Sequence, residues 1–118
     1  MKPQIALTAV ALSLALSTTA RAETPQMTQD LKCLALGFTL IQSTDPKVVE
    51  AAKVATFYYL GRVDGRDRTI DLADRFSKPD MQMSQDELQR MAQVCGGELS
   101  ARSGELMDMS KRLEAAGR

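Results

Sequence analysis

Histidine is absent from this chain of 118 residues, and so is tryptophan. Without histidine there is no Ser-His or Cys-His activation of a nucleophile, and the commonest protein metal ligand is missing. Carboxylate and serine-lysine chemistry are not excluded, but no Gly-rich phosphate loop, zinc-ligand spacing or nucleophile elbow occurs. Aromatic residues are scarce: Phe57, Tyr58 and Tyr59 stand in a row, flanked at a distance by Phe38 and Phe76. No segment alternates apolar and polar residues over a useful length, which argues against strands. There is no internal repeat and no low-complexity linker. These absences favour a non-enzymatic helical chain with no cofactor.

Cysteine is scarce too. The two present, Cys33 and Cys95, do not form a C-x-x-C pair. Residues 1–22 read as a secretory signal: Lys2 gives a positive start, 5–16 is mostly apolar, and Ala20-Arg21-Ala22 ends it with an A-x-A cleavage pattern. The apolar run is shorter than the roughly 20 residues a membrane span needs. No cysteine stands at the cleavage site, so neither a lipid nor a stable membrane anchor is expected. Export to the periplasm makes a Cys33–Cys95 disulfide the default reading; a reactive thiol or metal pair is the alternative. Cleavage removes Lys2 and Arg21 and no acid, so the single domain of 23–118 carries a slight acidic excess. Neither nucleic acid nor an anionic membrane surface is an expected partner.

What is present is helical patterning. Thr28 can cap a first helix on which Leu31, Leu34, Ala35, Phe38 and Ile41 share a face. Asp45-Pro46 starts a second, whose apolar residues from Val48 to Leu60 are interrupted only by Glu50, Lys53 and Thr56. A helix that apolar reads as central and buried on most sides, with a stop near Asp64-Gly65. Asp67 can cap a short third helix over 68–77, ended by Lys78-Pro79. Ser84 and Glu87 fit a reciprocal capping box. A long helix over 85–115 follows, carrying Leu88, Met91, Cys95, Leu99, Leu106, Met109 and Leu113, with Gly96-Gly97 as a point of bending or close approach. The expected fold is all-α: a small four-helix bundle whose first and last helices are joined by the disulfide.

Three groups could carry binding chemistry. Tyr58, Tyr59, Arg62, Arg66 and Arg68 could form an anion site; the alternative is a self-neutralised turn with Asp64 and Asp67. Met81-Gln82-Met83 and Met107-Asp108-Met109 are two thioether pairs suited to Cu(I); the alternative is that Met81, Met83, Met107 and Met109 fill gaps in the core. Asp64, Asp67, Asp71 and Asp74 recur at helical spacing, in keeping with either a carboxylate pair or a solvated salt-linked face.

An all-helical exported chain with a long-range cysteine pair, here Cys33 and Cys95 within about 28–113, resembles the periplasmic acid-stress chaperones. It is also similar to small exported helical proteins of proteobacteria. The resemblance implies loss of structure at low pH and presentation of apolar surface to client proteins. The expected function is therefore protein–protein contact in the periplasm, as an envelope-stress or chaperone-like factor with another periplasmic protein as partner. The alternative is a small-molecule or Cu(I)-binding module.

Overall fold

Four α-helices and one 3-10 turn, with no strand, make up the part of the chain that the computed structural model describes, residues 22–117. The signal sequence expected over 1–22 lies outside it except for Ala22. Helix α1 spans Pro25–Leu40, α2 Pro46–Arg66, α3 Leu72–Phe76 and α4 Gln85–Ala115; the 3-10 turn is Pro79–Met81.

Helix α1 begins earlier than its sequence suggests. Thr24, not Thr28, is the N-cap: its side chain accepts from the Met27 amide, and Pro25 occupies the first helical position. The Thr28 hydroxyl instead donates to Glu23. Asp45 caps α2 by accepting from Lys47 N at 2.9 Å. Helix α2 runs through Gly61 and Gly65 to Arg66, and neither glycine ends it, because among the described residues only Gly117 has a positive φ. Asp67 is the C-cap of α2; Asp71 caps α3, which is five residues rather than the ten expected. Ser84 caps α4 through the Glu87 amide. The Glu87 side chain does not return to Ser84 but pairs with Lys32 of α1 at 2.8 Å. The capping box is thus half formed, and its acid serves a tertiary contact.

Met27, Leu31, Leu34, Tyr59, Val63, Met81 and both cysteines are among the residues that form the core. Helix α1 packs chiefly on α2, and α4 contacts both. The disulfide joins Cys33 of α1 to Cys95 of α4, with the Cα atoms 5.6 Å apart. Helix α2 is less buried than its composition implies: only Ala52, Tyr59 and Val63 are buried, and Phe57 is 75% exposed. Its neighbours cover one side, so its apolar excess faces outward. Helix α4 passes through Gly96, Gly97 and Gly104 without a break, and among the described residues nothing lies within 4 Å of where a Cβ at these glycines would stand.

The close approach occurs at Gly37 of α1. A Cβ there would lie 2.7 Å from Thr56 Oγ1 and 3.3 Å from Thr56 N. Thr56 is held in place because its hydroxyl donates to the Ala52 carbonyl at 2.7 Å. Gly37→Ala is therefore expected to destabilise the fold by about 1–2 kcal/mol despite alanine's better helix propensity. Adding Thr56→Ala removes the nearest atom and should restore part of the loss. Urea melts of the single and double variants measure both effects.

Candidate functional site

Of the residues expected in a tyrosine–arginine group, Arg62 and Arg66 meet the protein's own carboxylates, and Tyr58 and Tyr59 lie beside them. Asp30 of α1 is fully buried, at 0% exposure. Arg62 and Arg66 lie one turn apart on α2 and both reach it. Arg62 Nε donates to Asp30 Oδ2 at 3.1 Å. Arg66 Nη1 lies 2.7 Å from the same oxygen but off the hydrogen-bond direction, so that contact is chiefly coulombic. Gln26 Nε2 donates to the other oxygen at 3.2 Å.

Arg62 also pairs with Glu98 of α4 at 2.9 Å and donates to the Tyr58 hydroxyl at 3.3 Å. Its guanidinium carbon stands 5.7 Å from the Tyr58 ring centre. The Tyr58 and Tyr59 rings meet edge to face at 4.9 Å. The buried Tyr59 hydroxyl lies 2.8 Å from the Cys95 carbonyl and 3.3 Å from Glu98. Tyr58, Tyr59, Arg62 and Arg66 are thus brought together, and they bind α1 and α4 to α2 beside the disulfide. Arg68 is not part of the group; it is exposed in the turn after α2.

The electrostatics follow from this packing. Burial, then the Glu98 charge and hydrogen bond, push the Tyr59 hydroxyl well above its ordinary pKa, so it remains a proton donor. Burial opposes charge on Arg62, but hydrogen bonds with Tyr58 and Asp30 and the charges of Asp30 and Glu98 outweigh it and raise its pKa.

Asp30 and Glu98 were not singled out as site residues in the sequence, although a signal existed. Asp30 falls three residues after buried Met27, on the stripe that also carries Leu31 and Leu34. Glu98 falls three after Cys95. An acid on a core-facing stripe requires a buried cation, and α2 offers two.

A cavity of about 560 Å³ lies beside this network, lined by Met27, Ile70, Glu23, Arg66, Asp67 and Arg75 among others. Its rim charges are engaged. Arg75 forms two hydrogen bonds to Glu23, both at 2.8 Å, and two to Asp80 at 2.8 and 2.7 Å. The Arg75 hydrogen bond is the main cause holding both the Glu23 and the Asp80 carboxyls below their usual range. A folded pKa below the unfolded one gives stability that is present above the unfolded value and is lost as pH falls through the folded value. Arg75→Ala should therefore lower stability at neutral pH, and the gap to the wild-type chain should close near about pH 2, where both carboxyls are protonated. Urea melts at the two pH values test this; an equal gap at both would assign Arg75 a packing role.

The methionines do not converge. Met81 is buried in the 3-10 turn and Met83 half-buried just before α4. Met107 and Met109 are exposed on α4, more than 20 residues along, which is about 33 Å at helical rise. The aspartates separate as well: Asp71 caps α3, Asp74 pairs with Lys78, and Asp67 accepts from Thr69.

The C-terminal half of α4 carries several of the exposed large apolar residues. Every residue of 100–117 is exposed, including Leu106 at 61%, Met107, Met109 and Leu113. Leu99 links two depressions at its base. One, of about 230 Å³, is apolar and runs between α1, α2 and α4 along Leu36, Leu40, Val48, Ala51 and Ala92. The other, of about 480 Å³, is bounded by Val54, Tyr58, Arg102, Leu106 and Met109. Among the described residues no helix is long and apolar enough to cross a membrane. No family model, curated protein or solved structure matches the chain.

Proposed function

We propose that this chain is a non-enzymatic, exported helical protein that acts by protein–protein contact, and that the apolar face of the C-terminal half of α4 makes that contact. The carrying observation is the exposure of Leu106, Met109 and Leu113 on a helix that continues well past its own core. A helix half with little packing among the described residues is stable only marginally by itself, and an apolar stripe on it gains free energy when a partner covers it. The remainder serves as scaffold: a small four-helix bundle with its first and last helices joined by Cys33–Cys95. Export is supported by the signal-like residues 1–22 and by a disulfide of a kind that persists in oxidising compartments. A chaperone-like or envelope-stress role in the periplasm fits a surface that accepts apolar segments of other proteins. The small-molecule alternative has less support, because Asp30 and Glu98 already engage Arg62 and Arg66.

Leu106→Glu with Leu113→Glu is the test. Both sites are exposed, so the melting free energy should change by less than about 0.5 kcal/mol. Chemical cross-linking in intact cells should then lose the species that the wild-type chain forms. Unchanged cross-linked species would remove the proposal, and a large loss of stability would show that the stripe belongs to the core.

A further inference from the structure

The partner that best fits the α4 stripe is a second copy of the same stripe. Resting on the contact surface just described, we infer that the chain self-associates through an antiparallel pairing of the C-terminal halves of α4. Leu99, Leu106 and Leu113 recur every seven residues, with Arg102 and Met109 between them. This is the 3-4 spacing of a two-helix seam, and it continues in phase the repeat that buries Cys95 in the core.

Charge selects the direction and the register. Glu105 and Arg112 each stand immediately before a stripe leucine, so they flank the seam on the same side. An antiparallel pair centred between residues 107 and 108 sets Leu106 against Met109 of the other copy, in both directions. It also sets Glu105 of each copy beside Arg112 of the other. Arg102 then lies opposite Leu113, where its stem covers the leucine and its charged end reaches water.

The competing arrangements are worse. A parallel pair places Arg102 against Arg102 inside the seam and leaves Glu105 facing Ser110. An antiparallel pair shifted by one repeat sets Glu105 against Glu105 and requires Leu113 to pack on Cys95, which is already buried. In the favoured register the end of each α4 arrives near Leu99 of the other, at the depression bounded by Val54 and Tyr58. Glu105 now pairs within its own chain with Arg102, and Arg112 with Asp108 at 3.0 Å. Both pairs are exposed, and exchanging such pairs for intermolecular ones costs little.

The test is sedimentation velocity on the purified, oxidised chain over a range of concentrations. A dimer is expected for the wild-type sequence. Glu105→Arg alone or Arg112→Glu alone should weaken it roughly tenfold, since each turns two attractions into two repulsions. The double variant E105R/R112E restores both pairs and should recover wild-type association. A chain monomeric at every concentration overturns the inference, as does a dimer indifferent to both single reversals. A monomeric pure chain that still forms cross-linked species with other proteins in cells, lost with Leu106→Glu, would end the self-association inference alone. Absence of both would end the contact surface with it.

Discussion

Replacing both cysteines by alanine is expected to lower the folding free energy by about 4 kcal/mol and the melting temperature by roughly 20 °C. Cys33 and Cys95 lie 62 positions apart and are both buried. Removing the bond releases a long loop in the unfolded chain, and a domain of this size has only about 5–15 kcal/mol in total. The bond matters more here because α4 meets the other helices only along its first part, through Leu88, Met91, Cys95 and their neighbours. Without it, α4 is retained chiefly by the Tyr59–Cys95 and Arg62–Glu98 contacts and the Lys32–Glu87 pair. Thermal melts of the wild-type and Cys33→Ala/Cys95→Ala chains measure the effect. A shift below roughly 5 °C would mean that side-chain packing alone holds α4.

The second large effect concerns Asp30. Replacing Arg62 and Arg66 together by methionine leaves a fully buried carboxylate facing apolar groups, with Gln26 as its remaining hydrogen-bond donor. An uncompensated buried charge costs about 3–5 kcal/mol. Arg62→Met/Arg66→Met should therefore destabilise strongly. Adding Asp30→Leu removes the buried charge, and the triple variant should recover most of the loss, because a buried ion pair and a well-packed apolar substitute are often close in stability. Single substitution of Arg66 should cost less, since Arg62 still holds the carboxylate by a hydrogen bond. Urea melts of the three variants decide the point. A triple variant no more stable than the double would show that the arginine stems and the Tyr58 contact, rather than the charge, carry the contribution.

The all-helical class, the long α4 and the cysteine pair were legible in the sequence because each depends on local pattern: apolar spacing, caps and cysteine arithmetic. The extent of α1 was not, since both Thr24 and Thr28 are acceptable caps and Pro25 decides between them through its fixed φ. Burial on α2 was misjudged for a different reason. Phe57 and Val54 have the residue types of a core, but a helix shows only how much apolar surface it has, not how many neighbours will cover it. The same ambiguity attaches to Leu106 and Leu113, which continue the stripe of Leu88 and Cys95 past Arg102. The sequence pattern of a core helix and that of a helix offered to a partner are identical, and only the tertiary arrangement separates them.

The tyrosine–arginine cluster was legible in part: Tyr58, Tyr59, Arg62 and Arg66 come together, and Arg68 does not join them. Tyr58, Arg62 and Arg66 fall four apart on α2 and do form a cationic group. What local pattern could not supply was the long-range approach of Asp30 and Glu98 from two other helices to these arginines, beside the disulfide.

The most direct measurement on the contact surface is site-specific photo-cross-linking in intact cells, with the photoreactive residue at position 106 and, as a control, at exposed Arg90 on the same helix. Discrete protein adducts from 106 and none from 90 are expected, with masses that separate a second copy of this chain from a different protein. No adduct from 106, or equal adducts from both positions, would contradict the reading of α4 as a presented surface.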